Sequence, residues 1–181
     1  MCFLCVNLTQ RDKSLYHHTL FNKMGKEITY IKGDATKPDA KGCVIIAHIC
    51  NDIGGWGKGF VLALSQRWKK PEDEFREWYK SQDNFKLGEV QFVEVEHNIW
   101  VANIIGQHKI VNGKDGTPPV RYEAIEAGLI KVGDFARNLN AIVHMPRIGC
   151  GLAGGKWNIV EPLIIKGISD KNIEVTVYDF E

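Results

Sequence analysis

His48, Asn51 and Asp52 open the stretch His48-Ile49-Cys50-Asn51-Asp52-Ile53-Gly54-Gly55-Trp56-Gly57-Lys58-Gly59-Phe60. An imidazole exchanges protons near neutral pH, and an amide and a carboxylate beside it can orient a polar substrate. The glycines let the backbone take φ > 0 and let a ligand lie against bare N–H groups. Apolar residues at helical spacing follow in Val61-Leu62-Ala63-Leu64-Ser65-Gln66-Arg67-Trp68. A helix N-terminus therefore stands behind the loop and adds partial positive charge. The chemistry is a site for an anion, with a proton-transferring group at hand. His48 has a second reading, a core histidine bonded to backbone. Lys58 meets a terminal phosphate or is simply solvated. Cys50 and Cys150 read as packing residues, since the sequence shows no base beside either.

A second glycine loop is Pro146-Arg147-Ile148-Gly149-Cys150-Gly151-Leu152-Ala153-Gly154-Gly155-Lys156-Trp157. Gly149 to Gly154 matches G-x-G-x-x-G, but a dinucleotide fold needs further strand–helix units after it, and one strand remains. The first loop fails the P-loop pattern, because Gly57-Lys58 is followed by Gly59. Two such loops on neighbouring strands can clamp a diphosphate from both sides.

The elements that position these loops follow from periodicity. Strands are expected at 27–32, at the buried run 43–47, and as a hairpin at 88–95 and 99–105. Two more are expected at 141–145 and 173–180. Helices are expected from 61, from Pro71, from 121 to 138, and from 157 to 168. Gly33-Asp34 ends the first strand, where an open sheet offers a carboxylate to a ligand. A turn aspartate bonding its own backbone is the bland alternative. The loop from Val111 to Pro119 reads as a lid or a disordered segment. Alternation of strands and helices, with one hairpin, gives a mixed sheet with helices on both faces.

The chain has 181 residues and a formal net charge of +1. That length suits one α/β core, and the balanced charge points to neither nucleic acid nor membrane. Five cysteines, an odd number, suggest free thiols and a reducing, cytoplasmic compartment. Cys2 and Cys5 have C-x-x-C spacing without a second ligand pair, and no cluster demands a metal or cofactor. Residues 1–24 read as an N-terminal extension, with Met24 as an alternative start, and 25–181 as the domain.

Four segments carry a family resemblance. They are Tyr30-Ile31-Lys32-Gly33-Asp34, His48 to Gly59, Pro146 to Leu152, and Val175-Thr176-Val177-Tyr178. Together they resemble a macrodomain, the three-layer α/β/α fold with a central mixed sheet that binds ADP-ribose. His48-x-Cys50-Asn51 with Trp56-Gly57-x-Gly59 is similar to the ADP-ribose-1″-phosphate phosphatase branch. Met145 to Leu152 is equally similar to the terminal ADP-ribose protein glycohydrolase branch.

The resemblance implies roles. Asp34 accepts from the adenine amino group, with the Ala35 N–H beside it and Tyr178 near the ring. Asn51 and the backbone of Gly55, Trp56, Gly57 and Gly59 hold the distal ribose. Ile148, Gly149, Cys150, Gly151, Leu152 and Ala153 cradle the diphosphate. The glycohydrolase branch uses a lysine and an aspartate at positions held here by Gly106 (or Gln107) and Ala153, which puts that covalent mechanism in doubt. The expected activity is hydrolysis of ADP-ribose-1″-phosphate or a related ADP-ribosyl derivative. His48 and Asn51 are its candidate catalytic residues, with Asp52 and His108 as further groups. The alternatives are a non-catalytic ADP-ribose reader and a protein-ADP-ribose glycohydrolase working without the lysine. The expected partners are ADP-ribose or a derivative and an ADP-ribosylated protein.

Overall fold

In a computed structural model, the residues described are 25–179. The expectations for residues 1–24, including Met24 and the Cys2–Cys5 spacing, and for Phe180 lie outside them.

The described strands are β1 (Ile28–Lys32), β2 (Val44–Asn51), β3 (Val90–Glu96), β4 (Ile99–Gln107), β5 (Ile142–Pro146) and β6 (Val175–Asp179). They form one sheet in the order β1-β6-β5-β2-β4-β3, all pairs parallel except the β3–β4 hairpin. The helices are α1 (Phe60–Arg67), α2 (Lys70–Ser81), α3 (Tyr122–Leu139) and α4 (Trp157–Gly167). A mixed sheet between two helical layers is what the alternating pattern predicts.

Strand β2 shows why the sheet is buried on both faces. Ile45 and Ala47 pack with Ile125 and Leu129 of α3 and Ile164 of α4. Val44 and Ile46 pack with Leu64 of α1 and Phe75 of α2. A side chain of this size, fully buried, contributes about 1.5–3 kcal/mol. Helix α2 carries Pro71, Glu72 and Asp73 in its first turn and is capped by Gln82 in the left-handed region. That order matches the charge and backbone asymmetry of helix ends.

One boundary differs from the sequence reading. Strand β2 does not stop before His48 but continues to Asn51. The reason is β4, which runs to Gln107 and gives His48 a partner in Asn103 and Asn51 a partner in Gln107. His48 therefore lies within the sheet, three residues before β2 ends.

Strands β2 and β5 are parallel neighbours. Their carboxyl ends lie at the same sheet edge, and each runs into a glycine loop, so topology alone sets the two loops side by side. β1 and β6 bring Gly33-Asp34 and Tyr178 to that same edge.

Candidate functional site

A cleft runs along this edge in two chambers. The wider, about 750 Å³, is lined by Asp34, Ala35, Ala63, Gln66 and Tyr178 among others. The narrower, about 280 Å³, lies between Lys58, Gln107 and the second glycine loop, with His48 and Ile49 among its lining residues. Both chambers share Gly59, Phe60 and Pro146, so they are two ends of one groove.

Its walls are rich in free donors. In the second loop the N–H groups of Ile148, Gly149, Gly151, Leu152 and Ala153 donate to no acceptor among the described residues. Cys150, Gly154 and Gly155 are tied, to Arg147, Gly151 and Gly149, and the Lys156 N–H donates to the Tyr122 hydroxyl at 3.0 Å. Gly149 has φ of 70°, a left-handed conformation that turns the chain and would strain another residue. Across the groove, α1 starts without a side-chain cap; the Leu62 N–H donates to Gly59 O at 3.1 Å, and those of Phe60 and Val61 are left free. Gly59, with φ of 77°, lets the chain enter that helix, and a Cβ there would stand 3.6 Å from Leu152. Bare N–H groups on both walls, one set at a helix N-terminus, form a receptor for a chain of anionic groups.

Arg147 fastens the second loop to the sheet. Its guanidinium grips the Asp179 carboxylate, with Nη2 2.9 Å from Oδ2. It also stacks 4.8 Å from the Trp157 ring and 5.2 Å from Tyr30. The Asp179 hydrogen bond holds its pKa above the ordinary value.

At the wide end, Asp34 Oδ1 accepts from the Thr36 amide at 2.9 Å and the Thr36 hydroxyl at 2.7 Å. Lys37 Nζ lies 3.3 Å from Oδ2. Partial burial raises the carboxyl pKa, but the Thr36 and Lys37 contacts outweigh it and the net shift is downward. Asp34 is thus both the turn aspartate of the bland reading and a charged wall of the chamber. Tyr178 is buried, and its hydroxyl lies 2.9 Å from His144 Nδ1.

At the narrow end stand the two expected catalytic residues. His48 is 1% exposed, and its Nε2 lies 2.6 Å from Asn103 Oδ1. Burial lowers its pKa to about 4, so the ring is neutral at pH 7 and cannot donate as an imidazolium there. Asn51 spends its amide on the loop. Its Nδ2 donates to Gly55 O at 2.6 Å, and its Oδ1 accepts from Gly55 N at 2.8 Å and Ile53 N at 3.2 Å. Asn51 thereby shapes the loop, with both ends of its amide on loop backbone. The Trp56 indole turns into the core and donates to Ser65 Oγ at 2.8 Å. Burial pushes the Cys50 and Cys150 thiols up, away from thiolate chemistry.

The structure does bring together Asp52 and His108, 56 residues apart in sequence: Asp52 Oδ2 is 2.6 Å from His108 Nδ1. Lys58 lines the narrow chamber with no ionic partner among the described residues. The sequence reading missed Phe60, Ala63 and Gln66 as groove residues. Their spacing of three on α1 was the available signal, since it places them on one helical face. Among the described residues no three His, Cys, Asp or Glu side chains gather at metal-binding distance. No described helix is long and apolar enough to cross a membrane.

Fold and groove define an α/β/α protein that receives an elongated anionic ligand at the carboxyl edge of its sheet. No family model matches the chain. It is 59% identical to a protein of unknown function from Bacteroides thetaiotaomicron, with a TM-score of 0.84 over 84% of this chain and 98% of that one. It is 55% identical to a macrodomain protein from Streptomyces coelicolor, with a TM-score of 0.76 over 84% of this chain and 99% of that one. The chain belongs to the macrodomain family.

Among curated relatives, the chromodomain-helicase-DNA-binding protein 1-like of Mus musculus is 30% identical over 84% of this chain. The chain spans 18% of that protein and 15% of its Danio rerio counterpart. More distant is an ADP-ribose 1''-phosphate phosphatase of Candida albicans, 26% identical over 74% of this chain and 89% of that protein. An ADP-ribose glycohydrolase of Homo sapiens is 24% identical over 85% and 92%.

Proposed function

We propose that the protein binds ADP-ribose in this groove and hydrolyses ADP-ribose-1″-phosphate or a related ADP-ribosyl derivative. The observation that carries the reading is the continuity of the two chambers past Gly59, Phe60 and Pro146. An adenosine fits the wide end beside Asp34, Ala35 and Tyr178. The diphosphate lies along the free N–H groups of Ile148 to Ala153 and the α1 N-terminus. The distal ribose then enters the narrow end, beside Lys58 and Gln107. The names of the Candida and human relatives support hydrolysis of an ADP-ribosyl compound. The three described cysteines are free, which supports a reducing, cytoplasmic setting.

A second reading, an ADP-ribose reader that catalyses little, is favoured by the neutral, buried His48. The third is a glycohydrolase acting on ADP-ribosylated protein without the lysine. Gln107 ends β4 with its amide on Lys109 O at 2.9 Å, and Ala153 is buried in the second loop, so neither supplies a nucleophile or a carboxylate. Calorimetry with ADP-ribose and AMP, followed by incubation with ADP-ribose-1″-phosphate and an ADP-ribosylated acidic peptide, separates the three. ADP-ribose should bind more tightly than AMP without added metal, and absence of binding rejects all of them.

A further inference from the structure

We propose that Asp52 and His108 form the proton-transfer pair of this site, with His108 Nε2 as the general base toward a water at the distal ribose. The proposal rests on the hydrolase reading above.

The geometry comes from the place where the β2–β4 ladder ends. Asn51 pairs with Gln107, and the Asp52 amide then donates to Gln107 O at 3.1 Å. Gln107 lines the narrow chamber, and Asp52 and His108 are the residues that follow the paired Asn51 and Gln107. There Asp52 Oδ2 lies 2.6 Å from His108 Nδ1, and the Lys109 amide donates to Asp52 Oδ1 at 2.7 Å. The carboxylate is fixed at both oxygens. The His108 backbone is fixed as well, since its N–H donates to Pro119 O at 2.8 Å.

A carboxylate accepts only, so Nδ1 carries the proton and Nε2 holds a free lone pair. The Asp52 side chain is 17% exposed and that of His108 is 43% exposed. A sheltered carboxylate behind an accessible imidazole is the arrangement in which the acid orients the ring and fixes its tautomer. His48 has the opposite surroundings: it is buried, and its Nε2 is committed to Asn103.

The step balances with water as co-reactant. The water oxygen bonds to the anomeric carbon of the distal ribose, and its proton passes to His108 Nε2. The bond from that carbon to the leaving oxygen breaks. The electron pair departs with the phosphate or carboxylate, and the proton on His108 returns to solvent. Asp52 touches no substrate in this scheme and is a positioning residue.

The test joins imidazole NMR to kinetics. In the wild-type protein the His108 ring should show a proton on Nδ1, and its resonances should shift on addition of ADP-ribose but not of AMP, which lacks the distal ribose. His108→Ala and His108→Gln should bind ADP-ribose within about two-fold of wild type and lose ~10²–10⁴-fold in kcat, the usual worth of a general base. Asp52→Asn should lower kcat with little change in KM and move the ring proton off Nδ1, and Asp52→Glu should restore part of both. His108 resonances indifferent to ADP-ribose, or a His108→Ala enzyme with wild-type kcat, would overturn the pair alone. A wild-type protein that binds ADP-ribose but turns over neither substrate would overturn the hydrolase reading and the pair with it.

Discussion

His48 Nε2 lies 2.6 Å from Asn103 Oδ1 across the β2–β4 ladder, deep in the sheet. Asn103 Nδ2 faces Gln91 Oε1 at 3.0 Å and Pro71 O at 3.3 Å, so its oxygen is the end left to accept. His48 therefore carries its proton on Nε2 and links β2 to β4, β3 and the start of α2. His48→Ala should leave Asn103 Oδ1 buried without a donor, which costs about 1–3 kcal/mol before any cavity is counted. Urea unfolding should show a midpoint lowered accordingly. Unchanged stability would return His48 to the list of functional rather than structural groups.

Stability should fall as pH falls from about 6.5 toward 4. Burial lowers the His48 pKa from 6.5 to about 4, so the unfolded chain takes up its proton first on acidification. The stability that His48 contributes is whole above pH 6.5 and is lost progressively on the way down to about 4. At about 1.4 kcal/mol per unit, the loss is on the order of 3 kcal/mol. Burial lowers His144 to about 4 as well, so it steepens the same window. Thermal melts at half-unit steps from pH 7.5 to 4.5 should show the decline. A His48→Gln variant should show a shallower one.

Asp34→Ala should weaken ADP-ribose by about 1.5–3 kcal/mol, the worth of a hydrogen bond to a charged group. Asp34 also accepts two hydrogen bonds from Thr36, so the turn itself must be checked. Asp34→Asn keeps a side-chain oxygen for the turn and removes the charge. Calorimetry on both variants separates the roles. Loss in Ala alone makes Asp34 a turn residue, and loss in both makes it a ligand contact.

Gly151→Glu should abolish ADP-ribose binding while the protein stays folded. A Cβ at Gly151 meets nothing within 4 Å, so the position has room for a side chain. The added carboxylate stands among the free N–H groups proposed to hold the diphosphate, where it repels the ligand. Retained affinity with a normal melting curve would place the diphosphate elsewhere.

Much of the architecture was legible because its causes are local. The apolar run Cys43 to Ala47 could only be a buried strand, and it packs against both helical layers. Pro71 with Glu72 and Asp73 marked a helix start, and α2 begins one residue earlier. The positive φ of Gly59 and Gly149 is likewise a property that glycine permits and sequence displays. The end of β2 was less legible. Its last residues are in strand because β4 lies alongside, and no local pattern in His48 to Asn51 records that neighbour.

Sequence by itself determined the two glycine loops, the strands that feed them and the anionic character of what they receive, since these follow from backbone freedom and periodicity. Tertiary structure alone decided which polar groups are free to act. It buried His48 against Asn103, folded the Asn51 amide back onto Gly55, and set His108 2.6 Å from Asp52. The physical reason is that protonation and hydrogen-bonding capacity depend on burial and on partners far away in the chain. Residue type fixes what a group can do, and only its neighbours in space fix whether a lone pair or a proton remains for a ligand.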